Sequence, residues 1–206
     1  MAAGVMPASI NALSNVLLRA PFVSQAPSGN WKDGYQQNGC EEASVLIAAR
    51  WIKGANSIDP IWAEKEIIRI SKYEEKRFGT SHDTSATTTA QVFREYFKHE
   101  KVEAKLDINT GDIIKELDKG RLVLVPANGQ KLKNPYYKRP GPKRHMLVII
   151  GYDERAKEFI THDVGTKRGA YYRYNFKVLE NALFDYPTGV KVPTKVIRKA
   201  MIVVEK

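Results

Sequence analysis

Residues 38–51 read NGCEEASVLIAARW, and within them the composition changes abruptly from turn formers to helix formers. The residues before the cysteine, 26–39, include many turn formers (APSGNWKDGYQQNG), which is typical of a loop. From Cys40 onward helix formers dominate and apolar side chains recur at three- and four-residue spacing, so the pattern predicts a helix that begins there. The Asn-Gly pair suits the helix entry, and the two glutamates that follow the cysteine complement the helix dipole in the first turn. The single cysteine of the chain is therefore predicted to lie at a helix N-terminus.

Cys40 has two interpretations at this position. Unpaired amide groups and the dipole of a helix N-terminus favour an anion, so a thiol there ionises more easily and can act as a nucleophile. Free cysteines are also common as small buried apolar residues, and position alone does not separate the two interpretations. A single cysteine excludes an internal disulfide and a thiolate-rich zinc site, which leaves a thiol that is either structural or reactive.

The rest of the chain divides into a helical part followed by a part with strands. Three further helices are predicted at about 60–78, 86–99 and 112–119, with Asp59 as the cap of the first and Gly79 and Gly120 as stops. Compact or alternating apolar runs then predict strands at 122–125, 146–152, 158–161 and 171–174, and at least one more within 192–205. Helices first and antiparallel strands second indicate an α+β domain.

Two of the predicted strands form a hairpin that carries a histidine and an acid. His145 directly precedes the run 146–152, and Asp163 ends the next run. If the turn centres near Arg155, Asp163 lies almost opposite His145, one pair removed. An acid beside an imidazole can select its tautomer and stabilise its cation. The non-functional alternative is a surface hairpin on which His145 and Asp163 have no role in a site.

Composition limits the classes of function. With 206 residues, 43% of them apolar and 27% charged, the chain can bury the core of one ordinary domain. No run of 18 apolar residues occurs, which excludes a membrane span. The net charge of +10 favours acidic partners, but the basic residues are spread along the chain apart from one denser stretch at 131–144, so nucleic acid is disfavoured as the partner.

Four short segments together resemble the C39-like peptidases, a branch of the papain-like cysteine peptidases whose best-known members trim double-glycine leader peptides. They are Gln25 and the segments 37–44 (QNGCEEAS), 144–149 (RHMLVI) and 159–163 (FITHD). The resemblance covers about residues 21–166 and includes the Cys, His, Asp order. It implies a papain-like fold with N-terminal helices packed on a C-terminal antiparallel β-sheet. The predicted peptidase domain spans 21–206, and residues 1–20 precede it as an arm or the remnant of a leader.

The resemblance also implies a cysteine peptidase that hydrolyses peptide bonds through a thioester acyl-enzyme. Cys40 matches the nucleophile, His145 the general base, Asp163 the orienting acid and Gln25 the donor of the oxyanion hole. The substrate would be a peptide or protein, and no cofactor or metal is implied.

The sequence departs from the family pattern at two points. The loop from Gln25 to Cys40 is longer than usual, so Gln36 or Gln37 could supply the oxyanion donor instead. Asp163 is followed by Val164 where the family usually has proline. No segment resembles the transporter to which leader-trimming members are attached, so cleavage at double glycines does not carry over.

Other interpretations stay open at this stage. The His-Asp pairs at 82–83 and 162–163 repeat a dipeptide of helical metal phosphohydrolases, although 162–163 ends a predicted strand and His162 fits better as an edge residue beside the cleft. The fold could serve as a non-catalytic module that binds peptides or cell-wall material, or the same triad could act in an acyl transferase or amidase. The aromatic, proline-stiffened loop 128–144 is predicted to wall the cleft, and Trp31 is a candidate for a subsite.

Overall fold

The computed structural model describes residues 15–189, 193 and 198–206. Seven helices occur in this part: α1 (Gly34–Gln37), α2 (Cys40–Ile52), α3 (Pro60–Phe78), α4 (Ala86–Phe97), α5 (Thr110–Asp118), α6 (Gly129–Leu132) and α7 (Phe176–Ala182). Its seven strands are β1 (Asn15–Leu17), β2 (Val102–Leu106), β3 (Leu122–Ala127), β4 (His145–Asp153), β5 (Glu158–His162), β6 (Tyr172–Asn175) and β7 (Ala200–Val204).

All seven strands belong to one antiparallel sheet, in the order β2-β7-β3-β4-β5-β6. The short strand β1 pairs with the end of β4, beyond the stretch that pairs with β3. Gly151 permits this contact, because a Cβ there would lie 2.1 Å from the Val16 carbonyl oxygen. Residues 15–17, which fall within the predicted arm, are thus part of the sheet. Residues 1–14 lie outside the described residues, and the division into arm and domain stays a prediction.

Helices cover both faces of the sheet. One core contains residues of α2, α3 and α4 against side chains such as Leu124, Val148 and Ile202. The second core lies on the opposite face, where α5 and α7 pack against Val125 and Leu147. The sequence predicts the α+β class correctly, but it does not predict that helices occupy two sides. Among the described residues, the helices are too short or too polar to cross a membrane.

The helix boundaries follow local signals in the sequence. Asp59 caps α3 by accepting a hydrogen bond from the backbone of Trp62 at 2.8 Å, and the helix ends at Gly79, whose φ of 78° is readily adopted by glycine. Ser85 caps α4, which ends at Phe97, two residues earlier than predicted. Strands β1 and β2 and helix α7 lack a strong pattern of their own and are not predicted. Part of the predicted range 192–205 forms β7, whereas 192 and 194–197 lie outside the described residues.

A bulge in the β4–β5 hairpin sets which side chains face the site. The pairing begins with Asp153 opposite Glu158 and ends with Val148 opposite His162, and the register shifts by one residue at Ile150. A one-residue shift transfers every later side chain of the strand to the other face of the sheet.

The shifted register brings the predicted histidine and acid to the same face. If this register continues by one residue, Asp163 lies opposite Leu147. Leu147 and His145 are on the same face of β4 because they are two residues apart. Without the bulge, Asp163 would point to the opposite face. The predicted turn centre at Arg155 leads to the same alignment, one pair away from His145.

Candidate active site

A cavity of about 780 Å³ opens where the N-terminus of α2 meets the start of β4. Cys40 and His145 both line it, together with residues of the loops before β4 and after β5. The two residues are 105 positions apart in the chain, so only the packing of α2 on β4 brings them to the same cavity. The peptidase function that the resemblance implies requires Cys40 and His145 to lie at one cavity in this way.

Cys40 is the first residue of α2, as the sequence predicts. The turn before it requires Gly39, because a Cβ there would lie 2.7 Å from the Tyr35 carbonyl oxygen. The thiol is 6% exposed and donates a hydrogen bond to Oε2 of Glu41 at 2.9 Å. Burial raises the pKa of the Cys40 thiol well above its usual value, and the neighbouring Glu41 carboxylate raises it further, whereas a backbone hydrogen bond from Met146 lowers it. The groups around the sulfur therefore favour the protonated thiol, against the effect of the helix N-terminus on the anion.

The two glutamates after Cys40 are buried, rather than solvated partners of the helix dipole. Glu41 accepts a hydrogen bond from the Tyr186 hydroxyl at 2.7 Å on the oxygen that does not contact the sulfur. Glu42 accepts one from Ser71 at 2.6 Å, and its pKa is raised to about 8 by burial and by the charge of Glu41. Glu74, also buried, has a raised pKa for the same kind of reason. A buried carboxyl group without a cationic partner holds its proton into the neutral range.

His145 and Asp163 form a buried pair. The Nε2 atom of His145 lies 2.9 Å from Oδ1 of Asp163, and neither side chain is more than 2% exposed. The Gly165 amide donates to the same oxygen at 3.0 Å. Since an ionised carboxylate only accepts hydrogen bonds, Nε2 carries the proton and Nδ1 is left with a free lone pair. The sequence predicts this pair, and the structure brings it together.

Three further donors converge on Asp163 from segments far apart in the chain. Its Oδ2 atom accepts from the hydroxyls of Tyr137 at 2.6 Å and Tyr174 at 2.5 Å, and from Nδ2 of Asn134 at 3.0 Å. Burial would raise the pKa of Asp163, but electrostatic attraction to His145 and the hydrogen bonds from His145, Tyr137 and Tyr174 outweigh it and hold the pKa at about 2. Sequence reasoning does not identify Asn134 or Tyr174. The tyrosine alternation in β6 is visible, but it does not indicate an acceptor.

Gln25 lies at the cavity, as the resemblance implies. Its side chain is buried, and Nε2 donates to the carbonyl oxygens of Gln36 at 3.1 Å and Gln37 at 2.7 Å. Of the two alternatives, the exposed Gln37 lines the cavity as well, whereas Gln36 is buried and is not among the lining residues. Both N–H groups of Gln25 are thus used within the turn that precedes Cys40.

The predicted wall of the cleft is present. Residues 136–138, Pro142 and Arg144 of the loop before β4 line the cavity, and Trp31 lines it from the loop before α1. The Tyr137 ring lies 5.5 Å from the His145 ring in an edge-to-face arrangement, so it covers one side of the imidazole.

The two histidines of the metal interpretation are separate from the cavity lining. His162 is fully buried and both ring nitrogens have protein partners, the Ala20 carbonyl oxygen at 2.9 Å and the Tyr171 amide at 3.2 Å. It ties the segment before α1 to β5, so its prediction as an edge residue beside the cleft is wrong. Asp83, next to His82, pairs with Arg144 at 3.1 Å. Within the described ranges, no group of three or more possible ligand side chains is arranged to hold a metal ion.

Comparison with known proteins gives an assignment for most of the chain. A search of the curated proteins found no match. Among solved structures, a protein described as a C39-like peptidase from Bacillus anthracis is 15% identical with a TM-score of 0.58, and the alignment covers 94% of this chain and 98% of that one. Xylellain, a cysteine protease from Xylella fastidiosa, is 13% identical over 98% of this chain and 90% of that one, and its TM-score of 0.39 adds no weight.

The likeness to the Bacillus anthracis protein concerns the fold, and it agrees with the α+β class predicted from the sequence. The family model described as "Peptidase_C39 like family" matches residues 17–189. The match includes all of the cavity lining and extends over much more than half of the 206 residues. The chain therefore belongs to the C39-like peptidase family.

Proposed function

We propose that this chain is a cysteine peptidase that hydrolyses peptide bonds, with Cys40 as nucleophile, His145 as general base and Asp163 as the acid that orients it. The observation that carries the proposal is the His145–Asp163 pair, 2.9 Å apart in the wall of the cavity onto which Cys40 opens. Family membership supports the same class of activity.

The state of the imidazole suits a general base. With Nε2–H bound to the carboxylate, Nδ1 is the nitrogen that can accept the thiol proton. The sulfur of Cys40 then attacks the carbonyl carbon of the scissile bond, and the electron pair moves to the carbonyl oxygen. When the tetrahedral intermediate collapses, the amine leaves with the proton from Nδ1 of His145. Water, deprotonated by the same nitrogen, attacks the thioester and releases the acid and the thiol.

Asp163 stabilises the imidazolium that forms during this cycle. It stays ionised because five donors surround it and its pKa is about 2. A fixed negative charge beside Nε2 also prevents the ring from taking the tautomer with the proton on Nδ1, which could not accept the proton of Cys40.

The oxyanion would be held by the backbone N–H of Cys40 and by Gln25. The cap residue of α2 is a glycine, so it provides no side-chain acceptor for the first amides of the helix, and the Cys40 amide is the first of these. To donate to the oxyanion, Gln25 must give up one of its two present hydrogen bonds. The bond to the Gln36 carbonyl oxygen is the longer of the two, so we expect Gln25 to give up that one. One such donor contributes about 3 kcal/mol to the lowering of the barrier.

The resting thiol is protonated and bound to Glu41, so activation requires transfer of its proton to His145. This feature also favours a second candidate function, a non-catalytic module in which Cys40 stays a buried thiol. An acyl transferase or amidase shares the first half of the reaction and differs only in the acceptor.

The test combines an electrophilic thiol probe with hydrolysis of a peptide mixture. Labelling is unambiguous because Cys40 is the only cysteine. We expect Cys40→Ser to abolish both signals, and His145→Ala to reduce hydrolysis and labelling by about 10² to 10⁴-fold. His82→Ala is the matched control, since His82 is not among the residues that line the cavity. Equal labelling of the wild type and His145→Ala, with no peptide cleaved by the wild type, would support the non-catalytic alternative instead.

A further inference from the structure

The mouth of the cavity carries an excess of positive charge. Of the 17 residues that line it, five are lysine or arginine, and one, Asp83, is acidic. Asp83 already pairs with Arg144 at 3.1 Å. The four other cations, called the cationic rim below, are Lys32, Lys138, Lys167 and Arg168.

The cationic rim has no acidic partner within the part of the chain that the structure describes. None of the ion pairs found there, with a nitrogen-to-oxygen limit of 4.0 Å, includes any of its members. Many other surface cations are paired, as Arg121 is with Glu116 and Arg77 with Glu95. All four side chains of the rim are exposed, and the Arg168 guanidinium lies over the Tyr136 ring at 5.1 Å. Their charge is therefore available to a ligand.

The rim flanks the reacting groups rather than a remote surface. Lys138 follows Tyr137, whose ring packs against His145. Lys167 and Arg168 come shortly after Gly165, which lies so close to the imidazole that a Cβ there would be 2.9 Å from its Cε1 atom. A peptide bound across Cys40 would thus carry its neighbouring side chains past cations from both of the loops that lie beside the histidine.

We propose that the substrates of this site are acidic peptides, with Asp or Glu side chains near the scissile bond. This inference rests on the proposed peptidase function and specifies its substrate class. Several unpaired cations around one concave site raise the local concentration of an anionic ligand and suppress binding of cationic ones. Acidic peptide is favoured over nucleic acid because the cations surround a cavity with a thiol and an imidazole at its base, and this chemistry acts on carbonyl groups.

The experiment measures binding separately from cleavage. Three fluorescent decapeptides, identical except for Glu, Gln or Lys at the positions flanking a central neutral pair, are titrated with the Cys40→Ser protein at 20 mM and 500 mM NaCl. At low salt we expect the Glu peptide to bind about 10-fold or more tightly than the Gln peptide, the Lys peptide to bind most weakly, and high salt to remove most of the difference.

Charge reversal locates the effect. In Lys138→Glu/Arg168→Glu two cations and two anions remain at the rim, so the difference between the three peptides should largely disappear, whereas Lys72→Glu, an exposed lysine of α3 outside the cavity lining, should keep it. Equal affinities for the three peptides, or an order that survives reversal of the rim, would overturn the inference. Tighter binding of a ten-nucleotide single strand that displaces the Glu peptide would overturn it in favour of a nucleic-acid surface.

Cleavage of the same peptides by the wild type separates this inference from the proposed function. If the Glu peptide is bound selectively but none of the three is cut, the peptidase proposal fails and the acidic specificity of the site stands. If all three are cut with equal kcat/KM and bound equally, the specificity fails and the peptidase stands.

Discussion

Replacement of Asp163 by asparagine tests the central pair of the site. The pKa of this carboxyl is about 2 in the folded protein and 3.8 in its ordinary state, a difference of nearly two pKa units. At 1.36 kcal/mol per unit, the ionised Asp163 stabilises the fold by about 2 kcal/mol at neutral pH. We expect Asp163→Asn to lower the free energy of unfolding by roughly this amount at pH 7.

The pH dependence of this loss follows from the direction of the shift. Because the folded pKa is depressed, the stabilisation is fully present above pH 3.8 and is lost as the pH falls through about 2. The difference in unfolding free energy between wild type and Asp163→Asn should therefore be constant from pH 7 to 5 and fall to about half at pH 3. Urea denaturation followed by tryptophan fluorescence measures it, with the exposed Asp107→Asn as a matched control.

The variant should also select the wrong tautomer of His145. Three donors face Oδ2 of Asp163 and two face Oδ1, so the new NH₂ group is better placed at Oδ1, opposite Nε2. The imidazole proton then moves to Nδ1, and peptide hydrolysis should fall by about 10³ to 10⁴-fold. A difference in stability that does not change down to pH 3, together with normal hydrolysis, would refute the account of the pair.

Three further substitutions test the surroundings of the nucleophile and its base. Gly165→Ala should lower the rate of peptide hydrolysis by about 10 to 100-fold, because the new Cβ lies 2.9 Å from a His145 ring atom and must displace the ring. Glu42→Gln should stabilise the fold increasingly from pH 4.5 to 8, by up to about 1.4 kcal/mol per pH unit, because the raised pKa of Glu42 favours folding only while the group is protonated. Glu41→Gln should lower the pKa of the Cys40 thiol, measured by the pH profile of alkylation, because an amide can donate to the sulfur where a carboxylate repels its anion.

Two of these predictions have a control variant in the same chain. Gly34→Ala introduces a Cβ with no neighbouring atom within 4 Å and should leave hydrolysis unchanged. Glu100→Gln, at an exposed position, should show no growth of stability with pH. An unchanged alkylation profile in Glu41→Gln would mean that this carboxyl is neutral throughout the titration, and equal stability of wild type and Glu42→Gln at pH 5 and 9 would contradict the raised pKa.

Local signals in the sequence predict the elements that position the site. The spacing of apolar residues after Cys40 predicts the start of α2, and Asp59, Gly79 and Ser85 mark helix ends because caps and stops act within a few residues. The turn near Arg155 fixes the first pairs of the hairpin for the same reason, whereas the bulge at Ile150, which the sequence analysis does not predict, sets the register beside His145. These parts of the site depend on interactions that are short in sequence.

The burial of charged groups was decided only by the tertiary structure. The sequence assigns Glu41 and Glu42 to a helix dipole, but α2 lies between α3 and the sheet, so both carboxyls are desolvated and their pKa values rise. His162 is predicted as an edge residue beside the cleft and is instead enclosed by the segment before α1.

By itself the sequence determined most of the longer helices and strands, the position of Cys40 at a helix start and the hairpin that carries His145 and Asp163. Only the tertiary structure decided which donors surround Asp163 and whether the thiol is ionised at rest. The physical reason is range: capping, periodicity and hairpin register act between near neighbours in the chain. Desolvation and the convergence of hydrogen-bond donors depend instead on which distant segments exclude water from one another.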